Sequence, residues 1–362
     1  MVILHIAEIN NNLCNGMNVV IPKHVEYQNK LEKVGFYNLN RILIDGLSNV
    51  QLDTMESFQV QKLTPPFNRP DLVVFQGVYN YKYIKIAKQL IRQGIPYIIV
   101  PHSQLTSGAQ ARKKIKKRLA NFVFFNQFFN DAKAIQCLSK TELEESIDTY
   151  PPKFIATNGI ELPSVMKKSF NKKKLFLYIG RLEAYQKGLD LMVEAFSRER
   201  DSMRKTSSKL EIYGPNVNGR FEILESMIKA HKIEDFVFLH HEISGTEKRN
   251  KLLEADIFIQ TSRFEGMPMG ILEAMSVGLP VLITEGTTLG KQVETANAGW
   301  SCPTDVQSIC RKLRLILNDG FSDTDDLKMK STNAVNLIKR DFTWDKIALD
   351  TVNKYREILL RK

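Results

Sequence analysis

Two carboxylates eight positions apart, Glu265 and Glu273, stand on either side of a helix start in TSRFEGMPMGILEAMSVGLP, residues 261–280. The preceding ADIFIQ, residues 255–260, is an apolar run of strand length, and Pro268 followed by GILEAMS reads as a first-turn proline opening a helix. The order is strand, tight loop, helix, with Glu265 in the loop and Glu273 on the helix. At such a start the N–H groups of Met269, Gly270 and Ile271 have no partner inside the helix, and the aligned peptide dipoles favour an anion such as a diphosphate. Eight residues at helical rise span about 12 Å, the scale of a sugar and a ribose joined by a diphosphate. Carboxylates only accept hydrogen bonds, so both suit hydroxyl pairs on those two sugars. The alternative is a solvated loop charge and a glutamate on an exposed helix face.

Cations for the same diphosphate are found in GRLEAYQKGLD, residues 180–190, after the strand-like LFLYI. Arg181 binds phosphate oxygens as a fork and Lys187 acts as a point charge, while Gly180 and Gly188 permit unusual dihedrals. Taken alone the two could equally be solvated basic residues. His102 follows the apolar run PYIIV and so stands at the carboxyl end of a strand, where a lone histidine is either structural or catalytic. Gly16 in NNNLCNGMNVV is the candidate for close approach of a phosphate to the start of the first helix.

The elements that must position these groups recur regularly. Apolar runs at 2–6, 41–44, 71–75, 96–100 and 134–138 alternate with helical stretches such as Val19 to Val34 and Tyr81 to Arg92. A second series runs through 175–180, 210–214, 236–239, 255–260 and 280–283. Alternation of this kind predicts parallel sheets covered on both faces, here as two consecutive doubly wound α/β domains. Ligands of such sheets lie beyond the carboxyl ends of the strands, so two facing sheets would enclose a cleft. The expected division is 1–163 for the first domain, 164–174 for a lysine-rich linker, 175–341 for the second domain and 342–362 for a closing helix.

The segment SRFEGMPMGILEAMSVGLPV resembles the nucleotide-sugar signature of the family-4 retaining glycosyltransferases, matching at Ser262, Glu265, Gly266, Pro268, Glu273, Ala274, Gly278, Pro280 and Val281. Gly180, Arg181, Lys187, Gly188 and Asp190 match a second element of that family. The resemblance implies the GT-B fold: two Rossmann-like domains facing across a cleft, with the last helix crossing back to the first domain. It implies a retaining, metal-independent hexosyltransferase with no cofactor, using a nucleotide-sugar donor, with UDP-sugar favoured over GDP-sugar. Donor contacts would come from Gly16, Arg181, Lys187, Glu265, Met267, Pro268, Met269, Gly270 and Glu273. His102, Glu265, Arg181 and Lys187 would act on the transferred sugar and the departing diphosphate. Two departures stand out: Ser103 occupies a position where relatives carry glycine, and Asn15-Gly16 replaces a glycine pair.

At 362 residues, 43% hydrophobic and 25% charged, the chain has material for two globular cores. Its net charge of +11 suits phosphates, anionic lipid or nucleic acid. The resemblance favours a nucleotide-sugar and a glycan acceptor, lipid-linked in one version, over nucleic acid. RKKIKKR at 112–118 runs into LANFVFFNQFFN, so Arg112 to Phe129 reads either as a helix lying on an anionic membrane or as a basic helix leading into core phenylalanines. No leader or membrane-spanning run is visible, so the expected location is cytoplasmic or peripheral on the inner membrane face. Cys14, Cys137, Cys302 and Cys310 are scattered and read as reduced thiols. Asp323-Thr324-Asp325 reads as a helix cap, and His240-His241 supports no metal pair. Assembly of bacterial surface polysaccharide is the role the resemblance suggests. The rivals are a nucleotide-sugar epimerase or hydrolase of the same fold, and a non-enzymatic basic binder of lipid or nucleic acid.

Overall fold

The computed structural model describes residues 1–12, 16–111, 118–318 and 324–361. The chain divides into two compact units, Met1–Gly159 with Trp344–Lys362, and Ile160–Thr343.

The first unit holds a six-stranded parallel sheet of β1 (Val2–Ala7), β2 (Lys33–Asn38), β3 (Leu72–Gln76), β4 (Tyr97–Val100), β5 (Ala134–Cys137) and β6 (Lys153–Ile155), in the order β2-β1-β3-β4-β5-β6. The central strands β3, β4 and β5 are buried throughout, which is why they read in sequence as unbroken apolar runs. The helix Trp344–Leu360 belongs to this unit: the Tyr355 hydroxyl donates to Gln136 Oε1 at 2.6 Å and Trp344 meets His24 edge to face at 4.9 Å.

The second unit repeats the plan with β7 (Leu175–Ile179), β8 (Lys209–Tyr213), β9 (Val237–His240), β10 (Ile257–Gln260), β11 (Val281–Thr284) and β12 (Gly299–Cys302), in the order β12-β11-β10-β7-β8-β9. From β7 the chain moves outward to β8 and β9, then returns to the other side of β7 for β10, which pairs with it in parallel. The direction of strand addition therefore reverses between β7 and β10. Loops leaving two such neighbours splay apart and leave a crevice at their carboxyl ends, the usual ligand position in open α/β sheets.

Two sequence expectations are corrected, a strand and the end of a helix. RILI at 41–44 is not a strand: Ile42 and Leu43 are exposed, and the second strand is instead Lys33–Asn38, following a helix that ends at Asn29 rather than Val34. Gly35 makes that strand possible, because a Cβ there would lie 2.7 Å from the Phe67 ring packed on it. Residues 164–174, expected as a linker, pack on the second unit: Phe170 is buried in its core and the Lys167 N–H donates to Val277 O at 2.8 Å. The two compact units meet in sequence at 159/160 and 343/344. Among the phenylalanines of the basic-aromatic segment, Phe125, Phe128 and Phe129 are core, as the second of the two readings has it: Phe128 stacks on Tyr97 and meets Phe75 edge to face, Phe125 stacks on Phe129, and Phe124 is 48% exposed beside Tyr81.

Residues 112–117, Cys14, Asn15 and Asp323 lie outside the described residues. Cys137, Cys302 and Cys310 are buried free thiols, and the helix Thr324–Asp341 starts at the threonine read as part of a cap. Among the described residues no helix is long and apolar enough to cross a membrane.

Burial leaves a pH signature on the first unit. His5 and His24 are both pushed down to about 4, chiefly by loss of hydration, with the hydrogen bonds they donate to Gln28 and Asn158 opposing. The unfolded chain, with ordinary histidines, binds more protons between pH 6.5 and about 4, so stability is complete above 6.5 and declines as pH falls through that window. The expected result is a lower melting temperature at pH 5 than at pH 7, smaller in a His5→Gln variant.

Candidate functional site

The loops after β7 and β10, flanking the reversal point, are bound into one piece. Gly188 takes a φ of 63°, and a Cβ on it would fall 1.9 Å from the Thr261 carbonyl oxygen, so only glycine lets the two loops touch. The Thr261 hydroxyl donates to Gly188 O at 2.7 Å and the Arg263 N–H to Gln186 O at 2.9 Å. Arg263 then forks onto Asp190 at 2.7 and 2.6 Å and lies over the Tyr185 ring. Asp190, which matched the sequence pattern, is thus a structural anchor. Gly188→Ala is expected to destabilise the second unit by about 2 kcal/mol through overpacking and left-handed strain, read from the shift in urea midpoint.

This junction places Lys187 on Glu265. The ammonium lies 2.5 Å from Glu265 Oε1, with both side chains largely buried at 13% and 6% exposure. The same oxygen accepts from Gln260 Nε2 at 2.8 Å and Ser262 Oγ at 2.6 Å. Three donors therefore converge on Oε1, while Oε2 accepts no hydrogen bond among the described residues. A carboxylate so held presents one oriented acceptor to a polar ligand.

The helix Met269–Ser276 starts beside this cluster: a Cβ on Gly270 would lie 3.5 Å from Ile179 O and 3.7 Å from Gln260 Oε1. Its free amides are fewer than the sequence suggested. The Met269 N–H turns back to Met267 O and the Ile271 N–H to Pro268 O, each at 3.0 Å, because Pro268 caps the helix instead of starting it. Of the three amides, the Gly270 N–H is the one without a partner among the described residues.

Glu273 sits one helical turn further on, half-buried, with its carboxylate against the Lys248 ammonium. Each of the two predicted glutamates thus meets its own lysine. Arg181 is exposed and reaches Gln186 Oε1 at 3.3 Å, apart from the Lys187–Glu265 pair, so it is not locked in place. His240 stacks on Tyr213 and His241 on Phe221, so the two imidazoles have separate partners.

Gly16 and His102 belong to the first unit. Gly16 opens its helix, and a Cβ there would meet nothing within 4 Å, so packing alone does not demand glycine. His102 and Ser103 both adopt left-handed φ values, 50° and 63°. Ser103 therefore takes the conformation a glycine would adopt without strain. The turn is held from beneath by Glu142, which is fully buried and accepts from the Ser103 and Leu138 N–H groups; burial raises its carboxyl pKa against those donors.

His102 Nε2 contacts Gln76 Oε1 at 2.8 Å, Gln76 Nε2 contacts His5 Nδ1 at 3.0 Å, and His5 Nε2 contacts Gln28 Oε1 at 2.9 Å. Assigned from this network, the protons lie on His102 Nε2 and His5 Nε2, leaving His102 Nδ1 as an acceptor. Desolvation, aided by nearby His24, pushes His102 down to about 3, so the ring is neutral.

Sequence reasoning missed Gln260, Arg263, Lys248, Gln76 and Glu142, and matched Ser262 without giving it a role. Polar residues ending apolar strands, as Gln260 and Gln76 do, were the one visible signal. The ion pairs of Arg263 and Lys248 join positions far apart in the chain and leave no local trace.

Residues 164–334 match the family of glycosyl transferases group 1. This stretch belongs to that family. The group 1 domain covers Arg181, Lys187, Glu265 and Glu273, and the first unit lies outside it. Over 186 residues the chain is 26% identical to the uncharacterized glycosyltransferase MJ1607 of Methanocaldococcus jannaschii, covering 51% of this chain and 45% of that protein. It is 30% identical over 128 residues to WcaL of Escherichia coli, a glycosyltransferase ascribed to colanic acid biosynthesis, covering 33% of this chain and 30% of WcaL. The chain spans about half the length of the first curated relatives it matches. In fold, it superposes on Anabaena HepE in complex with UDP-glucose with a TM-score of 0.70 at 15% identity, covering 99% of this chain and 100% of HepE. The two six-stranded parallel sheets, with the group 1 domain as the second, are those of the GT-B glycosyltransferases.

Proposed function

We propose that the chain transfers a sugar from a nucleotide-sugar donor to a glycan acceptor, with retention of anomeric configuration and without a metal. The observation that carries this reading is the Glu265 carboxylate near the strand-order reversal: one oxygen is fastened by Lys187, Gln260 and Ser262, and the other accepts no hydrogen bond among the described residues. Glu265 Oε2 takes a hydroxyl of the donor sugar. Lys187 and the Gly270 N–H bind the diphosphate, Arg181 swings onto it from solvent, and Glu273 exchanges Lys248 for the ribose hydroxyls. Met267, Pro268 and Met269 line the donor by shape. As the glycosidic bond breaks, negative charge grows on the diphosphate, and fixed donors aimed at that charge lower the barrier. His102, neutral and with Nδ1 open, accepts a hydrogen bond from the transferred sugar, and Gly16 leaves room for the phosphates at its helix start.

A UDP-sugar donor is favoured because the structurally similar HepE was solved with UDP-glucose, and surface polysaccharide is the favoured acceptor class because WcaL is ascribed to colanic acid biosynthesis. The test is a thermal-shift panel of UDP, GDP and their sugars on the full chain. A ligand at a hundred times its dissociation constant stabilises by about 2.7 kcal/mol, so UDP should raise the melting temperature, and Lys187→Ala should abolish the rise. Silence with every nucleotide would remove the donor site. Conversion of the sugar without acceptor would turn the assignment to an epimerase or hydrolase.

A further inference from the structure

The first unit contains a cavity of about 240 Å³ that the donor chemistry does not use. It opens at the carboxyl end of β2, whose last residues Tyr37 and Asn38 line it together with the helix Tyr81–Arg92. It thus lies on the carboxyl side of the sheet, the side on which open α/β sheets bind ligands, but at the outermost strand. Its apolar wall is Tyr37, Met55 and Phe58: Tyr37 and Phe58 meet edge to face at 4.8 Å, and the Met55 N–H donates to the Tyr37 hydroxyl at 3.0 Å. Three cations, Arg41, Lys82 and Lys85, also line it, against one acid, Glu56.

The cations are unequally engaged. Lys82 is paired with Glu8 at 2.9 Å. Arg41 donates one NH2 group to the Glu56 backbone carbonyl at 2.7 Å and leaves the rest of its fork open. Lys85 has no hydrogen bond or ion pair among the described residues.

The position of Arg41 is built in. It holds a left-handed φ of 58°, which a non-glycine residue adopts only when its surroundings impose it. Those surroundings are rigid. The Asn38 side chain, fully buried, donates to Ile9 O and Ile42 O at 3.1 and 3.0 Å, and the Arg41 N–H donates to Asn38 O at 3.1 Å. Opposite, Gln89 Nε2 closes onto Phe58 O at 2.9 Å. A strained, braced arginine, an unpartnered lysine and an aromatic wall around one cavity are the complement of an anion carried on an apolar body.

We propose that this cavity binds a small molecule bearing a phosphate or carboxylate on an aromatic or apolar body. The anion lies between Arg41 and Lys85 and the body packs on Tyr37, Met55 and Phe58. The volume suits on the order of ten non-hydrogen atoms, since a water occupies about 30 Å³. The proposal is independent of sugar transfer; if the donor reading also holds, the cavity selects acceptors that carry a negative charge.

Calorimetric titration of the full chain with phenyl phosphate, benzoate and phenol tests it, and the first two distinguish a phosphate from a carboxylate ligand. At least one anion should bind saturably, phenol should not, and Arg41→Ala with Lys85→Ala should weaken the anion about tenfold or more. Lys187→Ala, which removes a cation of the second unit, should leave that binding unchanged, so failure of the donor site and failure of this one are separable. Lys85→Ala alone, at an exposed and unpaired position, keeps the comparison valid if the Arg41 substitution unsettles its loop. Absence of saturable binding by both anions, equal binding of phenol, indifference to the Lys85 substitution, or loss in Lys187→Ala would each overturn the assignment.

Discussion

Lys187→Ala should lower turnover by about 10² to 10³-fold, the usual effect of removing one preorganised donor aimed at developing charge. The ammonium lies in a largely buried position, so its field on a diphosphate is screened little by water. Glu265 Oε1 keeps Gln260 and Ser262 as donors in the variant, so the fold should survive and the melting temperature should move far less than the rate. Lys187→Arg should recover only part of the loss, because a planar fork does not reproduce a point charge seated among those groups. Steady-state rates with a UDP-sugar, compared with melting curves of the same samples, check this. A variant that retains wild-type turnover removes Lys187 from the chemistry.

Asp256→Ala should destabilise the second unit by about 3 to 5 kcal/mol, the range for breaking a buried ion pair from one side. Asp256 is fully buried at the base of the sheet. Its Oδ1 accepts from the Asn171 N–H at 2.9 Å, its Oδ2 from the Leu175 N–H at 3.0 Å, and Lys167 approaches to 3.8 Å. The lysine is nearly as buried, and desolvation already lowers its pKa, with Asp256 opposing that shift. Alanine would leave the ammonium without its counter-charge and two backbone N–H groups unbonded. Urea denaturation should show the loss, and removing the lysine as well, in Asp256→Ala with Lys167→Met, should restore part of it. If the single variant loses under 1 kcal/mol, these bonds do not hold 164–174 to the unit.

The strands most legible in the sequence are those buried on both faces. LVVF, YIIV, LFLYI and IFIQ are apolar because neither side of a central parallel strand meets water. The strands β2 and β12, KVGFYN and GWSC, escaped because glycine and polar residues break the run. RILI took the place of β2 because apolar composition alone does not distinguish a strand from a loop with exposed Ile42 and Leu43. In the candidate site, Glu265, Lys187 and the helix start were legible, since each lies within a short segment whose residue types and spacing suit phosphate and hydroxyl binding. Their contact, 78 positions apart in the chain, was not.

By itself, then, the amino-acid order determined the alternation of strand and helix, the two sheets, and the short segments rich in anion-binding groups, because these depend on neighbours within a few turns. Only the tertiary structure decided that β10 returns beside β7, that Thr261 lies against Gly188, that Arg263 fastens Asp190, and that Glu142 supports the turn at His102. Such pairings depend on which distant surfaces bury one another, and burial is a property of the whole packed chain rather than of any window along it.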